Sequence, residues 1–136
     1  MKIYFAGSIR GGRDDKDIYA EIISLLKKYG EVLSEHIGDK ELSSFGQTHM
    51  TDSEIYQKDI GWINESDIII AEVTNPSTGV GYELGYAEFF CKKIIALYRP
   101  IEGKRISAMI KGNSYMTCVE YKEVPELVEV FDKYLK

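Results

Sequence analysis

Short apolar segments alternate along the chain with longer segments in which apolar positions recur every three or four residues. The short segments predict buried strands at 2–6, 31–35, 67–73, 93–98 and 117–121. The longer segments predict helices at 14–29, 53–66, 80–92 and 124–135. Strands that alternate with helices predict right-handed βαβ units and one parallel sheet covered on both faces.

Five strands in this arrangement predict an α/β fold of three layers, flavodoxin-like or Rossmann-like, with strand order 2-1-3-4-5. A chain of 136 residues is expected to form a single domain over 1–136. Such sheets bind ligands beyond the carboxyl ends of the strands, where the strand order reverses. The segments 7–13 and 74–81 follow the first and third strands, so we expect the site there.

Composition narrows the classes of function. The chain has 17 basic and 22 acidic residues and a net charge of -5, which argues against a nucleic acid polymer as partner because such binders are usually basic. No apolar run approaches the roughly 20 residues of a membrane span, and the first residues lack a signal peptide's apolar region, so we expect a cytoplasmic protein without a membrane partner. Cys91 and Cys118 lie in no metal-binding motif, and we expect buried, reduced thiols.

The segment 7–13, Gly-Ser-Ile-Arg-Gly-Gly-Arg, has the features of an anion site. Its glycines allow the backbone to approach a ligand, the following helix offers free N–H groups, and its arginines suit phosphate. It matches neither a Walker loop nor the GxGxxG pattern. We predict that it binds a small anion; the alternative is a flexible turn with solvated arginines.

Two carboxylates fall on apolar faces of predicted helices. Glu83 lies between Ala87 and Phe90 on its helical wheel, and Asp59 lies within an apolar arc of the preceding helix. An inward carboxylate is unfavourable unless it is paired or used, and paired carboxylates can divide the acid and nucleophile roles at a glycosidic carbon. The alternatives are a Glu83 favoured by the helix dipole and an Asp59 that caps a backbone amide.

Other candidates carry weaker signals. Tyr4 lies on the first strand, beside the third in the predicted order, so it could reach Glu83 or serve as a core aromatic. His36 and His49 have no partner at a functional spacing and are assigned structural or surface roles. The basic connection 99–116 is long for this fold, and such connections are usually functional or interfacial; the alternative is a solvated loop. Its segment 107–110 could form a short helical turn.

Several stretches spread along the chain match one family pattern. They are YF at 4–5, GSIRGGR at 7–13, SEH at 34–36, Asp59 with Trp62, AEVTNPSTGVGYELG at 71–85, LYRP at 97–100 and SAMIKG at 107–112. This set resembles the nucleoside 2-deoxyribosyltransferase superfamily and, within it, the 2'-deoxynucleoside 5'-monophosphate N-hydrolases. The resemblance implies a five-stranded Rossmann-like fold, a homodimer, no metal or cofactor, and hydrolysis of the bond between base and deoxyribose in a small nucleotide.

The resemblance also implies roles for individual residues. Glu83 matches the catalytic glutamate that attacks the anomeric carbon, Asp59 an aspartate that contacts the sugar and assists proton transfer, and Tyr4 a tyrosine that orients the glutamate. Matches to substrate-binding positions are Gly7, Ser8, Ile9, Arg10, Gly11, Ser77 and Gly79. Ser107 and Met109 match a segment that reaches the phosphate from the partner subunit. Tyr86 stands where the pattern has an arginine.

Three other functions stay open on the sequence. A deoxyribosyltransferase would pass the sugar to a second base, a CMP-type ribonucleotide N-hydrolase would share most of these motifs, and a non-catalytic nucleotide sensor would use the same crevice. The basic loops favour a phosphorylated substrate and therefore a hydrolase. Two inward carboxylates beside an anionic ligand argue against a sensor.

Overall fold

The protein's sheet has five parallel strands in the computed structural model, which describes residues 1–8, 15–34 and 50–136. The strands are β1 (Lys2–Ala6), β2 (Glu31–Val32), β3 (Ile68–Glu72), β4 (Lys93–Tyr98) and β5 (Thr117–Glu120). Their order is β2-β1-β3-β4-β5, and every pairing is parallel. The predicted fold and strand order are confirmed.

The helices that cover the sheet differ from the predicted ones mainly at their ends. They are α1 (Lys16–Leu26), α2 (Asp52–Glu65), α3 (Thr78–Phe89), α4 (Ala108–Lys111) and α5 (Leu127–Leu135), the last preceded by a 3-10 turn at Val124–Glu126. The third helix begins two residues before the predicted start because the Ser77 hydroxyl accepts a hydrogen bond from the Val80 N–H (3.2 Å) and caps it.

The second strand is shorter than predicted because a serine side chain takes over backbone hydrogen bonds with β1. The Leu33 N–H still donates to the Ile3 carbonyl (2.9 Å). One residue further, the Ser34 hydroxyl donates to the Phe5 carbonyl and accepts from the Phe5 N–H, both at 2.8 Å. A hydroxyl that meets both groups of the neighbouring strand ends the regular pairing.

Alternate residues of the strands pack into two separate cores. On one face, Ile3 and Phe5 pack with α1 and α5. On the other face, Tyr4 and Ala6 pack with α2 and α3. The alternation therefore directs the Tyr4 side chain towards the helices that carry Asp59 and Glu83.

The expectation of two buried thiols is wrong for Cys91. Cys91 is exposed, whereas Cys118 is partly buried. Cys91 follows α3 with a φ of 60°, and hydrogen bonds from Cys91 N–H to Glu88 O and from Lys92 N–H to Ala87 O (both 2.9 Å) close the helix end as a Schellman motif. The thiol side chain lies outside both cores because its backbone reverses direction there.

In the part of the chain that the structure describes, no helix combines the length and the apolar character needed to cross a membrane.

Candidate active site

The candidate site lies at the carboxyl ends of β1 and β3, where the strand order reverses. The chain leaves β3, passes through the loop 73–77 and enters α3, which carries Glu83. On the neighbouring helix α2, Asp59 belongs to a segment whose start is fixed by a capping box between Thr51 and Glu54. Two capped helices thus present one carboxylate each beside β1.

A hydrogen bond joins β1 to α3 at the centre of this site. The Tyr4 hydroxyl donates to Glu83 Oε2, and the Tyr4 side chain is only 1% exposed. Burial and the neighbouring carboxylate charges raise the pKa of Tyr4 well above its ordinary value, so the phenol stays protonated and remains a donor. Tyr4 is therefore both a core aromatic and a partner of Glu83.

In the part of the chain that the structure describes, the Asp59 carboxylate lacks a hydrogen bond to one of its two oxygens. Its Oδ1 is buried and has no hydrogen-bond partner within the described residues. Burial raises the pKa of Asp59 to about 6, and the positive charge of Lys58 opposes that rise. Within the described residues, no backbone N–H reaches Oδ1, so this oxygen caps no backbone amide there.

The negative charge of Asp59 acts on Glu83. Burial raises the pKa of Glu83 to about 7, the Tyr4 hydrogen bond lowers it, and the negative charge of Asp59 raises it further. Both carboxyls therefore keep their protons to higher pH than exposed carboxyls do. Such a pair can offer one carboxylate and one carboxylic acid at the same time.

The start of the expected anion loop is tightly built. A Cβ on Gly7 would come within 2.9 Å of the Tyr19 ring and 3.2 Å of the Phe5 ring, so only glycine fits there. The Ser8 N–H donates to the Tyr19 hydroxyl (3.1 Å), whereas the Ser8 Oγ is buried without a partner in the described part of the chain. The predicted residues Ile9, Arg10 and Gly11, like His36 and His49, lie outside the described residues.

Three of the other predicted binding residues line a separate cavity. Ser77, Ser107 and Met109 line a cavity of about 540 Å³ between α3 and α4. Ser107 caps α4 as expected for a short helical turn, accepting a hydrogen bond from the Met109 N–H (3.2 Å), and Met109 is 82% exposed. Gly79 has open space around it apart from the Ser77 hydroxyl at 3.9 Å. Glu83 is not among the residues that line this cavity.

Comparison with known proteins decides the family. The nucleoside 2-deoxyribosyltransferase family model matches residues 3–124. The chain belongs to this family. It is 48% identical over 141 residues to the 5-hydroxymethyl-dUMP N-hydrolase of Esox lucius, covering 100% of this chain and 97% of that protein. It is 43% identical over 138 residues to the Homo sapiens protein of the same name, covering 98% of this chain and 79% of that protein.

A solved structure has the same fold as this nucleoside 2-deoxyribosyltransferase family member. The CMP N-glycosidase BcmB of Clostridium botulinum superposes with a TM-score of 0.68 at 22% sequence identity, over 98% of this chain and 100% of that chain. At this identity the likeness concerns the fold alone.

Sequence reasoning missed a set of polar residues in this family member. Glu72, the last residue of β3, is 0% exposed, and Asp15, Asn75 and Arg99 are linked to it through hydrogen bonds. The feature that could have revealed this set is a glutamate within a strand predicted to be buried on both faces. The apolar residues around it at 67–73 made that glutamate easy to overlook. Within the described ranges, no group of three or more His, Cys, Asp or Glu residues could hold a metal ion.

Proposed function

We propose that this protein hydrolyses the N-glycosidic bond of 2'-deoxynucleoside 5'-monophosphates, releasing the free base and 2-deoxyribose 5-phosphate. The observation that carries the proposal is the Tyr4–Glu83 hydrogen bond beside an Asp59 oxygen without a partner. The names of two relatives, at 48% and 43% identity, support this substrate class and make 5-hydroxymethyl-dUMP the first nucleotide to test. We also propose a cytoplasmic location for the reaction.

Glu83 is the proposed nucleophile. Its ionised carboxylate attacks the anomeric carbon through an oxocarbenium-like transition state, the bond to the base nitrogen breaks, and a glycosyl ester forms on Glu83. The Tyr4 phenol supports this role because its hydrogen bond favours the ionised carboxylate and holds the oxygen in place. Tyr4 is a positioning residue in this scheme.

Asp59 is the proposed acid and base. Burial raises its pKa to about 6 and leaves Oδ1 without a partner in the described residues. The protonated form is therefore more accessible than in an exposed aspartate, and in this scheme that form gives a proton to the departing base. It then takes a proton from the attacking water, whose oxygen bonds to the anomeric carbon and releases Glu83 as a carboxylate. Both half-reactions balance with water as the only co-reactant.

The phosphate is proposed to bind at the segment that follows β1. Gly7, Ser8, Ile9, Arg10 and Gly11 are the proposed ligands from this segment. The buried Ser8 hydroxyl, which has no partner within the described residues, supports a polar ligand at this segment. Ser77 and Gly79 are proposed to contact the nucleotide from the start of α3, where N–H groups favour an anion.

A homodimer is proposed to complete the site. Each subunit's Ser107 and Met109 reach the phosphate of its neighbour. This arrangement is supported by the cavity that Ser107 and Met109 line without Glu83 of the same subunit, and by the 82% exposure of Met109.

The deciding experiment measures free base by chromatography. The substrates are each deoxynucleoside monophosphate including 5-hydroxymethyl-dUMP, its ribose counterpart and its unphosphorylated nucleoside, with and without a second base. We expect release from deoxynucleotides and no new nucleoside. A new nucleoside formed only with a second base would make the protein a transferase, and preferential release from ribonucleotides would make it a CMP-type hydrolase. Binding without any release would make it a sensor.

A further inference from the structure

A network of buried polar side chains joins the carboxyl ends of β3, β4 and β5. At its centre, the Glu72 carboxylate is completely buried. Its donors are the Thr74 N–H (2.7 Å), the Thr74 hydroxyl (3.0 Å), Arg99 Nε (3.3 Å) and the Tyr121 hydroxyl. Four donors around one carboxylate compensate for the water that it loses on folding.

Arg99 extends this network to the start of α1. Its Nη2 pairs with Asp15, the residue that precedes α1, while its backbone N–H donates to Thr74 Oγ1 (3.0 Å). Asp15 also accepts a hydrogen bond from the Asn75 side chain (2.8 Å), and Asn75 accepts one from Lys104. One guanidinium thus bridges two carboxylates from different elements.

The network connects two segments that flank the proposed phosphate site, namely the start of α1 and the loop after β3. Asp15 directly precedes α1, and Thr74 and Asn75 lie in the loop that leads to Ser77. A second link is nearby, because Tyr19 of α1 accepts the Ser8 N–H (3.1 Å). The start of α1 and the loop after β3 are therefore held against each other by the charges of Arg99, Asp15 and Glu72.

The network is separate from the catalytic carboxylates. Tyr121 and Tyr19 belong to the core on the α1 and α5 face, whereas Tyr4 belongs to the core on the α2 and α3 face. Within the described residues, the hydrogen bonds of Glu72 and Arg99 run to Asp15, Thr74 and Tyr121 and not to Tyr4, Asp59 or Glu83. Replacing a buried ion pair by well-packed apolar side chains is often neutral or even stabilising, so we assign to this network a fixed geometry and not added stability.

We propose that Glu72 and Arg99 are positioning residues that hold the two phosphate-flanking segments in place, so that they determine how tightly the nucleotide binds and not how fast its glycosidic bond breaks. This inference rests on the function proposed above. It assigns to the site a pair of residues on the opposite face of the sheet from the proposed nucleophile.

The test compares Glu72→Gln and Arg99→Lys with the wild-type protein. Gln keeps the shape of Glu72 but removes its charge, and a single ammonium group cannot bridge two carboxylates as a guanidinium does. We expect KM for the best deoxynucleoside monophosphate to rise about tenfold or more while kcat stays within about threefold. Asp15→Asn, at the outer end of the network, gives the same measurement if the two central variants do not fold.

Tyr121→Phe is the matched control. It removes one hydrogen bond to Glu72 and leaves the contacts of Arg99 with Asp15 and Thr74, so we expect a lower melting temperature and an unchanged KM. A purely structural network would instead lower the melting temperature in all variants without separating KM from kcat. That result, or a loss of kcat at constant KM, overturns the inference.

The same variants separate this inference from the proposed function. If the wild-type protein releases base from no nucleotide, the proposed function fails, and calorimetry with dUMP replaces the kinetic assay. A dissociation constant about tenfold higher in Glu72→Gln than in wild type and Tyr121→Phe supports the positioning role. An equal dissociation constant, or no binding of dUMP to the wild-type protein, overturns it.

Discussion

At the scale of single residues, the site depends on a carboxylate that the fold holds in an unfavourable environment. Burial raises the pKa of Glu83 to about 7, and only the Tyr4 hydrogen bond acts against the rise among the causes identified. Glu83 is thus kept near its ionisation point at neutral pH, where small changes in its contacts change the fraction that is ionised.

Glu83→Gln should abolish base release while keeping the fold. The amide preserves the side-chain shape and can still accept from Tyr4, but it cannot form the glycosyl ester. We expect turnover to fall by about a thousandfold or more, with an unchanged circular dichroism spectrum. Near-normal turnover in this variant would remove Glu83 from the mechanism.

The same substitution should change how stability depends on pH. The unfolded chain ionises Glu83 near the ordinary value of 4.5, whereas the folded protein retains the proton until about pH 7. The free energy of unfolding therefore falls as pH rises through this window. Glu83→Gln should match wild type at the acid end and exceed it by roughly 1–3 kcal/mol above pH 7 in urea unfolding. The exposed Glu129→Gln should show no such divergence, and a pH-independent gain in Glu83→Gln would contradict the assignment.

Tyr4→Phe should shift the acid limb of the pH profile. Losing the phenol removes the interaction that lowers the pKa of Glu83, so the rise of kcat/KM should move to higher pH, and the maximum should fall about tenfold. Tyr29→Phe, which loses a hydroxyl bonded to Asp132 on the far side of the molecule (2.6 Å), is the control. An unshifted limb in Tyr4→Phe would mean that the phenol does not tune Glu83.

The sequence singled out the two candidate carboxylates, but it did not single out the buried polar residues around Glu72. Glu83 and Asp59 stood out because helical periodicity makes a carboxylate on an apolar face conspicuous. Glu72 did not stand out, since a strand buried on both faces has no polar side against which to compare it. Its partners come from distant parts of the chain, such as Arg99 and Tyr121, and spacing along one chain does not report such contacts.

At the scale of elements, strand order followed from the alternation of strands and helices, but element ends did not. The second strand was predicted over 31–35 and pairs over Glu31–Val32, because the Ser34 hydroxyl satisfies both backbone groups of Phe5. The third helix was predicted from 80 and begins at Thr78, because Ser77 caps it. Side-chain hydrogen bonds to the backbone decide such ends, and hydrophobic patterns do not contain them.

The end of α3 offers a test of an element on its own. Cys91 occupies the left-handed position of a Schellman motif, where glycine is usual. Cys91→Gly should raise the free energy of unfolding by up to about 1 kcal/mol because it relieves the strain of a Cβ at positive φ. Cys91→Ala keeps that strain and should leave stability unchanged. A similar gain in both variants would show that loss of the thiol, and not backbone freedom, is responsible.

At the scale of the whole molecule, several exposed apolar side chains lie on or next to α3 and α4. Phe89 is 79% exposed, and it packs edge-on against Phe90, which also contacts Tyr86, along α3. Met109 of α4 is exposed beside the cavity that α3 helps to form. A patch of this kind on adjoining helices fits contact with a second copy, and the homodimer proposed above makes a quantitative expectation possible.

Two inactive variants should restore activity when their subunits exchange. Glu83→Gln lacks the nucleophile, and Ser107→Asp places a negative charge where the neighbour's phosphate is proposed to bind. In a mixed dimer, the site with an intact Glu83 receives an intact Ser107 from the other subunit, while the second site carries both defects. Since half of the randomly exchanged dimers are mixed and each has one working site, an equal mixture should reach about a quarter of wild-type activity. The two variants assayed before exchange give the baseline, and sedimentation shows whether dimers exist. No recovery in a mixture that exchanges would mean that each subunit builds its site alone.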